Sequence, residues 1–296
     1  MKKVISERIN HESMFSRVVA HLLKKELKKR ASKHNQTRTL PMAVFGNDWI
    51  GINVTVDGIY EREYILDLVN VLKNLGLDLK NSTAIDIGAN IGNHAIEFSK
   101  IFGKVVCFEP NPRTFDILDA NTKNIRNIEI HSWGCSSISE RICLHEDFDN
   151  IGGSSASLHV ASSNEIEISV QPLDEIIHTF KNVALIKVDV EGMEFSALSG
   201  AENVISKFHP IICLEQHEAE FGPSCLETKS IDFLRSLGYR IFSLDKKEHR
   251  NYILKRLNNV KDFLLRTADR RKIVEYENVP KGTYSMIYAV HSSTLK

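Results

Sequence analysis

The stretch Thr83-Ala84-Ile85-Asp86-Ile87-Gly88-Ala89-Asn90-Ile91-Gly92-Asn93 decides the fold class. An apolar run of strand length ends in an acid, crosses two glycines and enters an amphipathic segment, Ile91 to about Phe102, with Gly103 placed as a C-terminal cap glycine. The same alternation repeats downstream. Strands are predicted at Thr83 to Ile87, Lys104 to Glu109, Ile128 to His131, Ala184 to Val190 and Pro210 to Glu215. Further helices are predicted from Asn111-Pro112 (an N-cap residue followed by proline at the first helical position), over Glu194 to Lys207 and over Leu226 to Leu237. Strands separated by helices imply βαβ units, a mainly parallel sheet covered on both faces, and an α/β fold.

In such sheets ligands bind beyond the carboxyl ends of the strands, where strand order reverses. Gly88 allows the tight turn after the first strand, and Gly92 permits close approach of backbone to a ligand or strand. The second strand ends in Glu109, an acid 21 residues after Gly88 that can accept both hydroxyls of a ribose. A dinucleotide turn needs GxGxxG, because the pyrophosphate packs on bare backbone at a helix N-terminus. Asn90 and Asn93 replace its second and third glycines, and no GxxxxGK[ST] is present. The pattern therefore favours a nucleoside without phosphates, such as S-adenosylmethionine, over a nicotinamide cofactor.

At the fourth strand end, Lys187-Val188-Asp189-Val190-Glu191-Gly192, strand period two puts Lys187, Asp189 and Glu191 on one face if the extended conformation persists. Charges ending an apolar strand are costly without partners or a ligand. Either a structural Lys–carboxylate network anchors the strand, or Asp189 stands near the transferred methyl, Lys187 orients an oxygen and Glu191 binds the acceptor or serves as base. His217, two residues beyond Glu215, is a second candidate base because imidazole titrates near neutrality. Asp189 and Glu215 could share a divalent cation, but without an HExxH or Asp-rich cluster no metal is expected.

The motifs Asp86-Ile87-Gly88-Ala89-Asn90-Ile91-Gly92, Phe108-Glu109-Pro110-Asn111-Pro112, Gly152-Gly153-Ser154-Ser155 and Ile186-Lys187-Val188-Asp189-Val190-Glu191-Gly192 resemble the FkbM-type methyltransferases and follow that family's order. Leu173-Asp174-Glu175 and Leu214-Glu215 fit too, with an echo at Tyr284-Ser285-Met286-Ile287. The resemblance spans about Gly51 to Phe242. It implies a class I methyltransferase fold, a seven-stranded sheet with its last strand antiparallel, and methyl transfer from S-adenosylmethionine to oxygen, often on a sugar or natural-product hydroxyl. Carried over, Asp86, Gly88 and Asn90 would surround the methionine end, Glu109 would hold the ribose, and Asn111 would lie close by. His94 stands where the family more often has an aromatic residue.

Composition sets the remaining bounds. Hydrophobic residues are 42% and charged residues 26%, as in soluble globular proteins, and 38 Lys+Arg balance 38 Asp+Glu. Eleven of the basic and three of the acidic residues fall in residues 1–40, giving that arm +8 and the remainder −8. Within it Met14, Phe15, Val18, Val19, Leu22, Leu23 and Leu27 predict a helix over Ser13 to Lys33, and Ser32 to Thr39 reads as a linker before one domain over 41–296. The basic helix either docks on that domain or meets a membrane surface or protein partner; homo-oligomers are compatible. Nucleic acid is not expected, since the catalytic region has no basic stripe or aromatic stacking motif. Five cysteines without a CxxC pair read as small buried hydrophobes. No h-region or membrane-length apolar run is present, so a cytoplasmic location is expected.

Arg141 to His145 and Glu165 to Gln171 alternate as half-exposed strands, flanking a Gly/Ser-rich stretch that is either a surface loop or a substrate lid. The charged insert at about 246–281 carries Leu254, Leu257, Val260, Phe263 and Leu264 at helical spacing. A non-catalytic nucleoside- or partner-binding protein on the same scaffold is the rival reading; it predicts loss of strand-end acids, yet Asp86, Glu109, Asp189 and Glu191 are all present.

Overall fold

The computed structural model describes residues 13–37, 42–145, 155–156, 165–221, 227–245 and 272–295. The chain divides into two compact units, residues 1–60 and 61–296.

The first unit holds α1 (Met14–Thr37) and α2 (Trp49–Asp57). Helix α1 runs through the stretch expected as a linker, because Ser32 to Thr37 contain no proline or glycine and the end of the helix is held by α2. His34 Nε2 lies 2.9 Å from the Val56 carbonyl oxygen, and the Arg30 guanidinium is 3.8 Å from Asp57. Asp48 caps α2 by accepting from the Gly51 N–H.

The second unit opens with α3 (Arg62–Asn74) and then alternates strand and helix: β1 (Thr83–Ile87), α4 (Asn93–Ser99), β2 (Lys104–Phe108), α5 (Pro112–Thr122) and β3 (Ile128–His131). The predicted cap on α5 is present, with Asn111 Oδ1 accepting from the Arg113 and Thr114 N–H groups. Gly103 is no cap, since α4 ends at Ser99 and the Gly103 N–H reaches the Leu79 and Ser82 carbonyls. A second sheet follows: β4 (Gly134–Cys135), β5 (Glu140–His145), β6 (Ser155–Ala156) and β7 (Glu165–Gln171), in the order β4-β7-β5-β6. Strands β5 and β7 are antiparallel, with Leu144, Ile168 and Val170 inward, as the alternation predicts. Gly152 to Ser154, and with them the lid reading, lie outside the described residues.

The chain returns to the main sheet through β8 (Val183–Val188), α6 (Glu194–Ser199), α7 (Glu202–Phe208), β9 (Ile211–Gln216), α8 (Lys229–Ser236), β10 (Tyr239–Asp245), β11 (Lys272–Tyr276) and β12 (Tyr284–His291). The single helix predicted over Glu194 to Lys207 is two. The Asp174 carboxylate accepts the Asn203 and Val204 N–H groups, both at 2.9 Å, and so starts α7 afresh. Asp174→Ala should lower stability by about 1–2 kcal/mol in thermal unfolding, the usual cost of losing such a cap; an unchanged midpoint would show that the bonds are idle.

The main sheet has the order β11-β10-β12-β9-β8-β1-β2-β3. Strands β1, β2, β3, β8 and β9 are parallel, and β12 is antiparallel between β9 and β10. This is the class I methyltransferase architecture, but among the described residues the sheet has eight strands where the resemblance implies seven. The end of the charged insert supplies β11, which pairs with β10 at the edge; residues 246–271 of the insert are outside the described part.

Period-two alternation sorts the strands onto two cores. Ile85, Ile87, Val106, Phe108, Ile186, Val188 and Leu214 face one, and Ala84, Val105, Cys107, Leu185 and Cys213 the other. Cys107, Cys135 and Cys213 are the small buried hydrophobes expected; Cys143 is exposed.

Candidate active site

Strand order reverses at β1, and every strand-end motif meets there. In the parallel register Asp86 of β1 lies beside Lys187 of β8, on the face otherwise occupied by Cys107 and Cys213. Two opposite charges are thus set side by side in the sheet's buried middle. Lys187 Nζ is 2.9 Å from Asp189 Oδ2 and 3.5 Å from Asp86 Oδ1. Its side chain is 4% exposed, so the ammonium is held within the carboxylate pair. Burial opposes the charge, but Asp189 and Asp86 outweigh it and raise the Lys187 pKa. The two acids diverge. Burial dominates at Asp86 and raises its carboxyl, whereas at Asp189 the adjoining ammonium overcomes burial and lowers it.

The glycine turn is built by contacts across strand ends. Gly88 and Ala89 donate to the Phe108 carbonyl, and Asp189 donates to that of Ile87. Gly88 has φ +77°, and a Cβ there would stand 1.8 Å from the Asp189 carbonyl oxygen. Gly92 is close to helix α5 and not to a strand, since its Cβ would meet Leu118 and Thr122 side-chain atoms. Asn90 adopts φ +50° and turns Oδ1 onto the Ile91 N–H. Glu109 fastens the turn: Oε2 accepts from the Asn90 N–H at 2.9 Å and Oε1 from the Asn111 N–H at 3.0 Å. Burial nonetheless pushes its carboxyl up to about 7. Phe108 stacks on His131, 4.9 Å between ring centres, with Trp133 4.5 Å from Phe108, leaving half-buried aromatic rings beside this corner.

Glu191 does not continue the strand face of Lys187 and Asp189. Strand β8 ends at Val188, and Glu191 is left-handed with φ +48°. That bend aims its carboxylate at the end of β9, where His217 Nε2 lies 3.6 Å from Glu191 Oε2 and 3.7 Å from Glu215 Oε1. The three side chains are each about one third exposed, unlike the Asp86–Lys187 floor. Burial, with Asp189 and Glu191 close by, pushes Glu215 up to about 8; burial and Asp189 raise Glu191 as well.

Sequence reasoning missed Glu61. It begins α3 in a left-handed conformation (φ +53°) and sets Oε2 3.4 Å from the buried Nε2 of His94. No local pattern around Glu61 marks it; only the packing of α3 near α4 reveals the pair. Among the described residues no three His, Cys, Asp or Glu side chains are grouped to hold a metal ion.

A cluster of acids at the switch point of the β11-β10-β12-β9-β8-β1-β2-β3 sheet, beside a glycine turn fastened by a strand-end acid, defines a methyltransferase-like α/β protein. The methyltransferase FkbM domain model matches residues 86–241, more than half of the chain, and the chain belongs to that family of enzymes. Hexuronic acid methyltransferase AglP of Haloferax volcanii is 32% identical over 130 residues, 43% of this chain and 53% of that protein. Methyltransferase 1 of Beauveria bassiana is 25% identical over 148 residues, 42% of this chain and 59% of that protein. The chain thus spans a little over half the length of these relatives. The solved FkbM methyltransferase of Methylobacillus flagellatus KT is 27% identical, with a TM-score of 0.33 over 46% of this chain and 33% of that one.

Proposed function

We propose that this chain is an S-adenosylmethionine-dependent O-methyltransferase whose acceptor is a hydroxyl of a sugar, glycan or related natural product. The observation that carries this reading is His217 set between Glu191 and Glu215 at the mouth of the site. A hydroxyl must lose its proton on methylation, and this trio can take it. A carboxylate acceptor has no proton to lose and would face Asp86, Asp189, Glu191, Glu215 and Glu61, with Lys187 already committed to two of them. The sugar class is supported by the similarity to a hexuronic acid methyltransferase.

The residues fit the cofactor. Apart from the Lys187 ammonium 3.5 Å from Oδ1, the fully buried Asp86 carboxylate meets no hydrogen-bond donor among the described residues, and each Glu109 oxygen takes one backbone N–H, with a lone pair to spare. Glu109 would hold the ribose, Asp86 and the Asn90 turn the methionine end, and the His131 and Trp133 rings the base. The bound cofactor supplies an electrophilic methyl on a cationic sulfur, and the surplus of carboxylates favours a cation. Lys187 is a positioning residue that fixes Asp86 and Asp189; Asp189 stands between this floor and the exposed trio. His217 or Glu215 receives the acceptor's proton, and Glu191 orients His217. The rest is placement, which for an in-line displacement supplies much of the acceleration.

Calorimetric titration with S-adenosylhomocysteine should show saturable one-to-one binding, with none by NAD. Glu109→Ala should weaken it by about 1–3 kcal/mol, the scale of a lost charged hydrogen bond. Unchanged affinity in the folded variant would remove Glu109 from the site.

A further inference from the structure

Helix α1 displays seven large apolar side chains within fourteen residues, and all are exposed: Met14 and Phe15 by more than three quarters, Leu22 and Leu23 by more than half, with Val18, Val19 and Leu27. Six of them, Met14, Phe15, Val18, Val19, Leu22 and Leu23, recur at i, i+1, i+4, i+5, i+8 and i+9, which gathers them on one side of the helix. The contacts with α2 involve the other end, at Arg30 and His34. Charge is divided along the same helix. Arg17, Lys24, Lys25, Lys28, Lys29, Arg30 and Lys33 face a single acid, Glu26, a net of +6.

We propose that α1 binds the surface of an anionic lipid bilayer, its apolar half entering the headgroup–acyl boundary and its basic half lying against the negatively charged headgroups. Each half needs a different chemistry, and an anionic bilayer presents both at one surface. A second copy of the helix suits it poorly. The seam Phe15, Val18, Leu22 continues at heptad spacing into Lys25 and Lys29, where two copies would set like charges together. A nucleic acid would satisfy the lysines and leave the apolar half in water. No described helix is long and apolar enough to cross a membrane, so the contact is peripheral.

The test is co-sedimentation of the full chain with phosphatidylcholine vesicles, with and without phosphatidylglycerol, at low and high salt. The protein should sediment with the anionic vesicles alone and be released by salt. Replacing Lys24, Lys25, Lys28 and Lys29 by Gln should reduce partitioning about a thousandfold, at ~1 kcal/mol per lysine. Leu22→Ser with Leu23→Ser should also reduce it. Both variants should keep wild-type affinity for S-adenosylhomocysteine, which shows the second unit intact. Failure to sediment with anionic vesicles, equal sedimentation with neutral ones, or no response to either variant would overturn the proposal. So would a vesicle-independent dimer, by light scattering, that the Leu22 and Leu23 changes dissolve.

Discussion

Gly88→Ala is expected to cost roughly 2–5 kcal/mol of stability and to abolish cofactor binding. Two terms add. A left-handed φ of +77° disfavours any L side chain by about 1–2 kcal/mol, and the new Cβ would overlap the Asp189 carbonyl oxygen, 1.8 Å away. That oxygen belongs to backbone following a central strand, so no rotamer change relieves the clash. Relief requires parting the ends of β1 and β8, which are paired from Ala84–Leu185 to Ile87–Val188, and parting them displaces Asp189 from Lys187. Gly92→Ala is the control. It has a similar φ of +87°, but its Cβ meets the tip of Leu118 at 2.9 Å, a side chain that can turn. The Gly88 variant should therefore unfold at much lower urea than the Gly92 variant. Equal midpoints would show that the Asp189 contact does not hold the turn.

Breaking the His217–Glu191–Glu215 trio should have the largest effect on turnover. His217→Ala, with the cofactor saturating, should lower kcat by about 10²–10⁴, the usual worth of a positioned base. The pH dependence carries a sign. A base works deprotonated, and Glu215 is pushed up to about 8, so kcat should rise with pH and level off above that region. Glu191, also raised, lies close to Glu215, so the inflection belongs to the two carboxyls together and not to a single residue. Glu215→Gln should flatten the rising limb. The same shift has a stability consequence. Between the ordinary carboxyl range and about 8 the native state holds a proton that the unfolded chain has lost, so this group's contribution falls as pH rises through that window. Glu215→Gln should accordingly melt at a higher temperature than wild type at pH above 8. Wild-type kcat and an unaltered pH profile in both variants would clear the trio of the proton transfer.

The strands were legible because each is an apolar run stopped by a residue with chemistry. Thr83–Ile87 and Ile128–His131 lie where the pattern puts them, and Lys104–Phe108 differs by one residue. The Glu109 corner was legible too, since spacing from Gly88 is a local quantity. What the sequence concealed is what depends on neighbours in the sheet. Glu191 and His217 are 26 residues apart, and only the pairing of β8 with β9, together with the left-handed turn at Glu191, sets them 3.6 Å apart. Glu61 was hidden for the same reason, with its partner His94 on a different helix. Strand β11 was hidden because it is a short edge strand of five residues within a charged insert: Ile273 and Glu275 point to solvent, so its apolar residues mark no core face.

Whether the methyl group goes to a hydroxyl or to a carboxylate can be read from the product. The most direct measurement uses S-adenosylmethionine carrying a ¹³C-labelled methyl, the purified protein and a panel of hexuronic acid glycosides, with the product read by NMR and then treated with mild alkali. The expected product is a methoxyl ether that survives alkali and whose formation collapses in His217→Ala. Label released by alkali as a carboxyl ester, and formed equally by His217→Ala, would exclude transfer to a hydroxyl.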